Sequence, residues 1–452
     1  MAKEIGKKGI IKMGTGLPVL NHHAAGIDIG DTIHYVAVNG ENGGYEVKST
    51  QAYTCDLKEI VEYLKSHGIT TAAMESTGVY WVPLYLLLEE AGIDVYLVNA
   101  RHVKNVTGRK KDDTDAIWIQ KLHTCGLLQK SFQPEEKIRL LRNYTRQRKK
   151  LIEIGSQSVR RMQKALELMN IKIHTVISDI LGKTGMRIVK AILEGERDPE
   201  VLAGLCDKRI KASKAEIMKS LDGVWSEEQL FFLGQSLDAY EFNQTQIKSC
   251  EAKIQNHLLN QVAKLKEGDI TDVEKGPEYM ERKGRKNQVD FNMEDYLEVI
   301  AGVDLTKLDG IGPVTALEFI SEVGLDMTKW KDANYFAAWL NLTPNTKITG
   351  GKIISSRMMK KKNRAGLILR QAASGLLGNK SPIGDFYRKT RARIGGKGAV
   401  IATAHKLSKI LYMMILTKTE YRPEILIQSQ AKDKAEKIRR LEKQLERLKN
   451  TA

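Results

Sequence analysis

The chain has 452 residues, 42% of them hydrophobic, enough for about two to four globular domains with ample core. Lys and Arg number 72 against 55 Asp and Glu, a formal charge of +17 with a pI near 9.4, which favours a polyanionic partner, either nucleic acid or an anionic membrane. Cys55, Cys125, Cys206 and Cys250 form no C-x-x-C pair, which argues against a disulfide framework or zinc site and fits a reducing cytoplasm. The opening "MAKEIGKKGIIKMGTG" lacks the apolar core of a signal peptide. Runs such as "LYLLL" and "LYMMIL" are far below a membrane span, so nucleic acid is the expected partner and no membrane role is expected.

From residue 24 the pattern is α/β. "AAGIDIG" and "HYVAV" read as strands around a short turn, and "YEVKSTQAY" as a third. "DLKEIVEYLKSHG" has Leu57, Ile60, Val61 and Leu64 at helical spacing, with Asp56 as the expected N-cap and Gly68 as the stop. "TTAAME" is a short buried strand, "VYWVPLYLLLEEAG" a helix and "IDVYLVNA" another strand. "RKKDDTDAIWIQKL" then supplies a last helix, so one layered α/β domain ends near residue 130. Residues 134–169 hold ten Lys/Arg against four Glu and read as one long basic helix. The chain to about residue 265 is mostly helical, with breaks expected at Gly182, Gly185, Gly204 and Gly223, and a polar loop follows. A further domain starts near residue 295. In the tail, Ile438, Leu441, Leu445 and Leu448 are spaced for two heptads, equally readable as a surface helix packed on its own chain.

Acidic residues recur where they are costly. Asp28 sits in the first strand, near a glycine, Gly30, that lets a ligand approach the backbone. Glu75 ends a buried strand, where a carboxylate costs free energy unless it binds something. Asp112 and Asp115 are three apart and share a helix face, while Asp113 points elsewhere. Four carboxylates from three elements suit hard divalent cations, and a pair of such ions stabilises both the attacking and leaving oxygens of a phosphodiester displacement. Taken singly, each acid reads as a cap or a solvated side chain.

"GIDIG", "MESTGVYW" and "RKKDDTDA", in this order and spacing, resemble the DEDD motif of transposases with a RuvC-like (ribonuclease H-like) domain, the IS-one-ten family of insertion-sequence recombinases. Carried over by position, the resemblance makes Asp28, Glu75, Asp112 and Asp115 the catalytic, Mg2+-binding acids. "GIDIGDT" also resembles the first phosphate loop of actin-like ATPases. That fold requires a second Gly-rich loop downstream, and the one near candidate, "LDGIGPVT", reads differently.

In "LDGIGPVTALEFISEVG", Gly310 and Gly312 form a tight turn before an apolar helix, the pattern of a helix-hairpin-helix whose N-terminal amides bind phosphate. From Asn345 to Lys409 there are sixteen Lys/Arg and one acid, Asp385, an imbalance that argues for a phosphate-binding surface rather than a solvated mixed-charge face. Arg357, Lys360, Lys361, Lys362, Arg364 and Arg370 are its candidate contacts. "FAAWLNLTPNTKITGGKIISSRMMKKKNRAGLILRQAA" and "SPIGDFYRKTRARIGGKGAVIATAHKLSKILY" resemble the C-terminal domain of the same family, which carries a nucleophilic serine before a glycine. Here the matching position is Thr349, in "ITGG", with Ser355 and Ser356 nearby. Threonine keeps the hydroxyl, but its methyl stiffens the side chain.

The fold class expected is therefore α/β plus α. The expected division is an N-terminal extension over 1–23, a RuvC-like domain over 24–132, a basic helical or coiled-coil linker with an insertion over 133–295, a mostly helical C-terminal transposase domain over 296–425 and a helical tail over 426–452. The resemblance implies an RNA-guided recombinase that cuts and rejoins DNA through a covalent phospho-protein link. It implies double-stranded donor and target DNA and a guide (bridge) RNA as partners, a homodimer or homotetramer, and a place in the cytoplasm at the nucleoid. The alternatives are a metal-dependent, junction-resolving nuclease that does not use Thr349, and a non-catalytic nucleic-acid-binding remnant.

Overall fold

The computed structural model describes residues 18–40, 44–99, 112–265, 289, 291–360, 363–424 and, in the tail, 438, 439, 442 and 446; side chains of 112–114 are outside that description. Most of the extension over 1–23, Lys110 and Lys111, the polar loop over 266–288, Lys361, Lys362, and Leu441, Leu445 and Leu448 of the heptads lie outside the described residues. The chain divides into two compact units, residues 1–133 and 134–452.

The first unit is a five-stranded mixed sheet. Its strands are β1 (Ala24–Ile29), β2 (Ile33–Asn39), β3 (Tyr45–Gln51), β4 (Thr71–Glu75) and β5 (Asp94–Val98), in the order β3-β2-β1-β4-β5. The β1–β2 and β2–β3 pairs are antiparallel, and β1–β4 and β4–β5 are parallel. Such a mixed sheet is consistent with the expected ribonuclease H-like domain. One face carries α1 (Thr54–Ser66) and α2 (Trp81–Glu90). Ile27, Ile60, Leu64, Met74, Leu84 and Leu88 are fully buried there, each contributing about 1.5–3 kcal/mol over an exposed position. Tyr53, not Asp56, caps α1. Asp56 lies one turn inside, and its carboxylate accepts from the Tyr53 amide at 3.3 Å.

The other face carries α3 (Asp112–Thr124), seated over β1. A Cβ on Gly26 would lie 2.3 Å from the Ala116 carbonyl and 2.2 Å from the Gln120 amide nitrogen, so only glycine lets the helix backbone come this close. Gly30, the glycine expected to admit a ligand, also shapes the turn after β1. Its missing Cβ makes room for the Ile33 carbonyl at 2.4 Å, closing the β1–β2 turn.

The second unit is built on two long antiparallel helices, α4 (Glu136–Leu168) and α8 (Glu227–Leu265). Asn243 Nδ2 donates to the Leu151 carbonyl at 2.6 Å, and Arg148 Nε donates to Glu251 Oε1 at 2.7 Å with both side chains buried. Between them lie α5 (Lys183–Leu193), α6 (Pro199–Gly204) and α7 (Lys214–Leu221), packed around Ile188, Ile192, Leu202, Leu221 and Leu233. Gly185 does not break this region. It sits inside α5, where a Cβ would meet the Ile180 carbonyl at 2.2 Å.

The remainder holds α9 (Glu294–Ala301), α10 (Pro313–Val323), α11 (Ala333–Trp339), the hairpin β6 (Asn345–Thr349) and β7 (Lys352–Arg357), α12 (Arg364–Ser374) and α13 (Pro382–Thr417). Phe319, Trp330, Phe336, Trp339 and Tyr412 form its aromatic core. The basic helix α4 docks here. Arg142 donates to the carbonyls of Ser321 and Glu322, and Arg146 makes a two-pronged bond to the Glu322 carboxylate at 2.7 Å. Among the described residues α13 alone is long and apolar enough to cross a membrane by composition. Half of that stretch is buried, and the helix kinks at Gly395. Short unbroken apolar runs understate this stretch, because small and polar residues interrupt it.

Candidate active site

Strand register brings the first two carboxylates together. Ile27 of β1 pairs with Met74 of the parallel β4, and the next position on each strand is Asp28 and Glu75. Side chains alternate along a strand, so Asp28 shares the face of Gly26, and Glu75 shares the face of Ala73. Gly26 lies against α3, and Ala73 packs with Ile119 and Leu122 of that helix, so both acids lie on the α3 face. Both are half-buried.

The helix runs against the strands. Near its end Gln120 reaches the Ala24 carbonyl, and His123 Nε2 lies 2.8 Å from Thr71 Oγ1, both at the amino ends of β1 and β4. Its first turn, with Asp112 and Asp115, therefore lies toward the carboxyl ends of those strands, on the side of Asp28 and Glu75. Asp115 is half-buried. Three elements thus direct Asp28, Glu75 and the Asp112–Asp115 turn to one end of the sheet. The donor chemistry fits a hard divalent cation, which takes oxygen ligands and few protein groups. Among the described residues no three Asp, Glu, His or Cys side chains stand close enough to hold a metal, and the Asp112 side chain is outside that set.

Thr77 was not picked out from the sequence. Its hydroxyl donates to Glu75 Oε1 at 3.3 Å, and its amide to the Glu75 carbonyl at 3.0 Å, so a tight turn follows the acid at once. The signal was present in the "ST" after the glutamate, a pair that often bonds back to nearby backbone and side chains.

Thr349 is the last residue of β6 and pairs with Lys352 across a two-residue turn. Gly350 and Gly351 both take positive φ, 55° and 75°, the conformation that a tight hairpin turn demands and glycine supplies. The hydroxyl is exposed at the hairpin tip. Ser355 and Ser356 stand mid-strand, and Ser356 Oγ is 3.2 Å from Thr346 Oγ1. Thr349 is therefore the hydroxyl that borders the glycine turn.

Lys347, Lys352, Arg357, Lys360 and Arg364 are all exposed around and after this hairpin. The segment's lone acid, Asp385, is already paired with Arg388, so it does not neutralise them. Arg370 differs. It is half-buried and donates to the Asn341 carbonyl at 2.5 Å, committing part of its guanidinium to the fold. Gly310 has φ 89° and faces Leu376, with room for no more than a close contact, so it serves the turn itself. Gly312 caps α10, where Pro313 removes one of the N-terminal amide donors.

Comparison with known proteins follows the same two regions. Residues 25–171 match a family model described as a transposase, of the DEDD IS110 type. Residues 304–385 match a second model, described as a transposase of the IS116/IS110/IS902 family. No curated protein matches the chain. The two matches together cover more than half of the chain, and it belongs to the IS110 family of insertion-sequence transposases, enzymes that recombine DNA.

Proposed function

We propose that this transposase cuts and rejoins DNA with two sets of groups acting on one phosphodiester. The first is the carboxylate set Asp28, Glu75, Asp112 and Asp115, which would hold Mg2+. When bound, the ion stabilises charge developing on the phosphoryl and leaving oxygens. The second is the Thr349 hydroxyl. Its oxygen forms a bond to phosphorus, the bond from phosphorus to a deoxyribose oxygen breaks, and the hydroxyl proton ends, in balance, on the leaving oxygen. The covalent link keeps the phosphodiester energy for rejoining. The observation that carries the reading is the placement of Asp28 and Glu75 one position beyond the Ile27–Met74 pair, on the sheet face that α3 covers.

The α/β unit is in this reading the RuvC-like domain over 24–132, followed by the helical linker with its insertion over 133–295, the transposase domain over 296–425 and the tail over 426–452. Arg357, Lys360, Lys361, Lys362 and Arg364 contact phosphates, with smaller parts for Arg370, Gly310 and Gly312. A guide RNA selects the site by base pairing, and the protein reads its backbone and shape. Exchange between two duplexes needs several such sites, so the working form is a dimer or tetramer, acting at the nucleoid in the cytoplasm. Strand cleavage and strand joining, measured separately for Asp115→Asn and Thr349→Val, test the proposal. Loss of both reactions in both variants supports it. Full cleavage by Thr349→Val favours instead a nuclease that uses the carboxylates alone.

A further inference from the structure

The carboxyl end of the β1–β4 pair carries more than acids. Four large apolar or aromatic side chains are exposed around it: Ile33 at 42%, Tyr53 at 68%, Val79 at 72% and Tyr80 at 46%. Ile33 opens β2 just past the turn from β1, and Tyr53 follows β3, whose last residue pairs with Ile33. Val79 and Tyr80 lie in the turn that leaves Glu75. Scattered exposed apolar residues need no explanation, but a rim of them at one functional end does.

Tyr80 is the best defined of the four. Gly78 takes φ 53°, and a Cβ there would stand 3.3 Å from Cδ2 and Cε2 of the Tyr80 ring. The ring edge thus rests over bare backbone, which restricts it without covering its outer surface. Its neighbour Trp81 is different. Trp81 packs against the core and meets Tyr85 edge-on at 5.5 Å. Among the described residues Tyr80 has no hydrogen-bond or ring partner. It lies five positions after Glu75, at most about 18 Å along the chain. The turn closed by Thr77 makes the true reach shorter. That places the ring within a few nucleotides of any phosphodiester held by the carboxylates.

We propose that Tyr80 stacks on an unpaired base of the DNA strand close to the bond being cut, holding that strand against the carboxylate end of the sheet. The inference rests on the reading that Asp28 and Glu75 engage the DNA phosphate. An aromatic face accepts any base, so the contact positions the strand without reading its sequence. Val79, still more exposed, supports the unstacked base from the side. A base is the occupant because the chain acts on DNA, the protein is basic, and the adjoining acids would engage the phosphodiester.

The test uses the full-length protein with Mg2+ and single-stranded oligodeoxythymidine in which one thymine is replaced by 5-iodouracil. Light crosslinks the iodouracil to an aromatic ring stacked on it, and the attached peptide is mapped. The crosslink is expected on Tyr80. Tyr80→Ala removes it and weakens oligonucleotide binding about tenfold to a hundredfold, and Tyr80→Trp restores both. Crosslinking confined to other residues, or unchanged binding by Tyr80→Ala, overturns the proposal. So does an effect of Tyr80→Ala on self-association alone, seen by sedimentation, since the ring would then meet a second copy of the chain. Asp28→Asn separates the two readings. If it cuts normally while Tyr80 still crosslinks, the carboxylate reading fails and the stacking stands. If it abolishes cutting while no crosslink reaches Tyr80, the stacking fails and the carboxylate reading stands.

Discussion

Asp28 and Glu75 occupy the next positions after the Ile27–Met74 pair on two parallel strands, on the sheet face that α3 covers. Two half-buried acids side by side repel each other unless a cation or proton lies between them. A divalent cation held between them, as proposed above, would offset that repulsion. Asp115→Asn, which removes one charge from a protein of net charge +17, is expected to abolish strand cleavage and leave nucleic-acid binding nearly intact. Normal cleavage with Mg2+ by this variant would remove Asp115 from the metal site.

Gly26 holds the site's geometry without touching its chemistry. A Cβ here would meet three backbone atoms of α3 at 2.2, 2.3 and 2.6 Å, and backbone cannot step aside as a side chain can. Gly26→Ala is expected to cost about 1–3 kcal/mol in urea unfolding. It should also reduce cleavage, because the displaced helix carries Asp115. Wild-type stability in this variant would mean that α3 does not press on β1.

The basic residues after the hairpin should act on phosphates. Replacing Lys360, Lys361 and Lys362 by Gln is expected to weaken DNA or RNA binding and to flatten its salt dependence by about one logarithmic unit per lost contact. The readout is the slope of log affinity against log salt concentration. An unchanged slope would make this segment an ordinary solvated face.

His123 gives the fold a pH dependence. It is buried at the amino ends of the strands, beside Tyr96 and Thr71, and burial pushes its pKa down to about 4. The folded protein therefore keeps the ring neutral where the unfolded chain protonates it near 6.5. The stabilisation is complete above about pH 6.5 and is lost as pH falls toward 4, by at most roughly 3 kcal/mol. Unfolding curves between these pH values should show the loss in the wild type and a flatter profile in His123→Gln.

Local pattern carried much of the first unit into view. "TTAAME" and "IDVYLVNA" read as strands because their small and β-branched residues suit a sheet buried on both faces. The spacing of Leu57, Ile60, Val61 and Leu64 announced α1, and all four are buried. Legibility ended where the cause lay far away in sequence. That Gly26 must admit a helix backbone is decided by α3, some ninety residues later. Gly185 looked like a helix break because its tight fit against Ile180 is invisible without the fold. The role of Arg370 turned on the carbonyl of Asn341. Thr349 was singled out by the resemblance to the family's C-terminal domain, while the two glycines after it made only the hairpin turn legible. The aromatic ring at Tyr80 was not, because exposure is a property of the folded surface.

Thr349 tests the chemistry by substitution. Thr349→Ser is expected to retain or raise recombination, since the smaller side chain attacks with less crowding. Thr349→Val keeps the shape, loses the hydroxyl, and should abolish it. Recombination at the wild-type rate by the valine variant would move the nucleophile to another residue, with Ser355 and Ser356 the nearest.

The most direct measurement is to trap the protein on a nicked DNA substrate with Mg2+, digest the complex and identify the residue bonded to DNA by mass spectrometry. The account predicts a phosphodiester to the Thr349 oxygen, absent in Thr349→Val and absent in Asp115→Asn. Attachment at Ser355 or Ser356, or Mg2+-dependent cleavage with no covalent species, would contradict it.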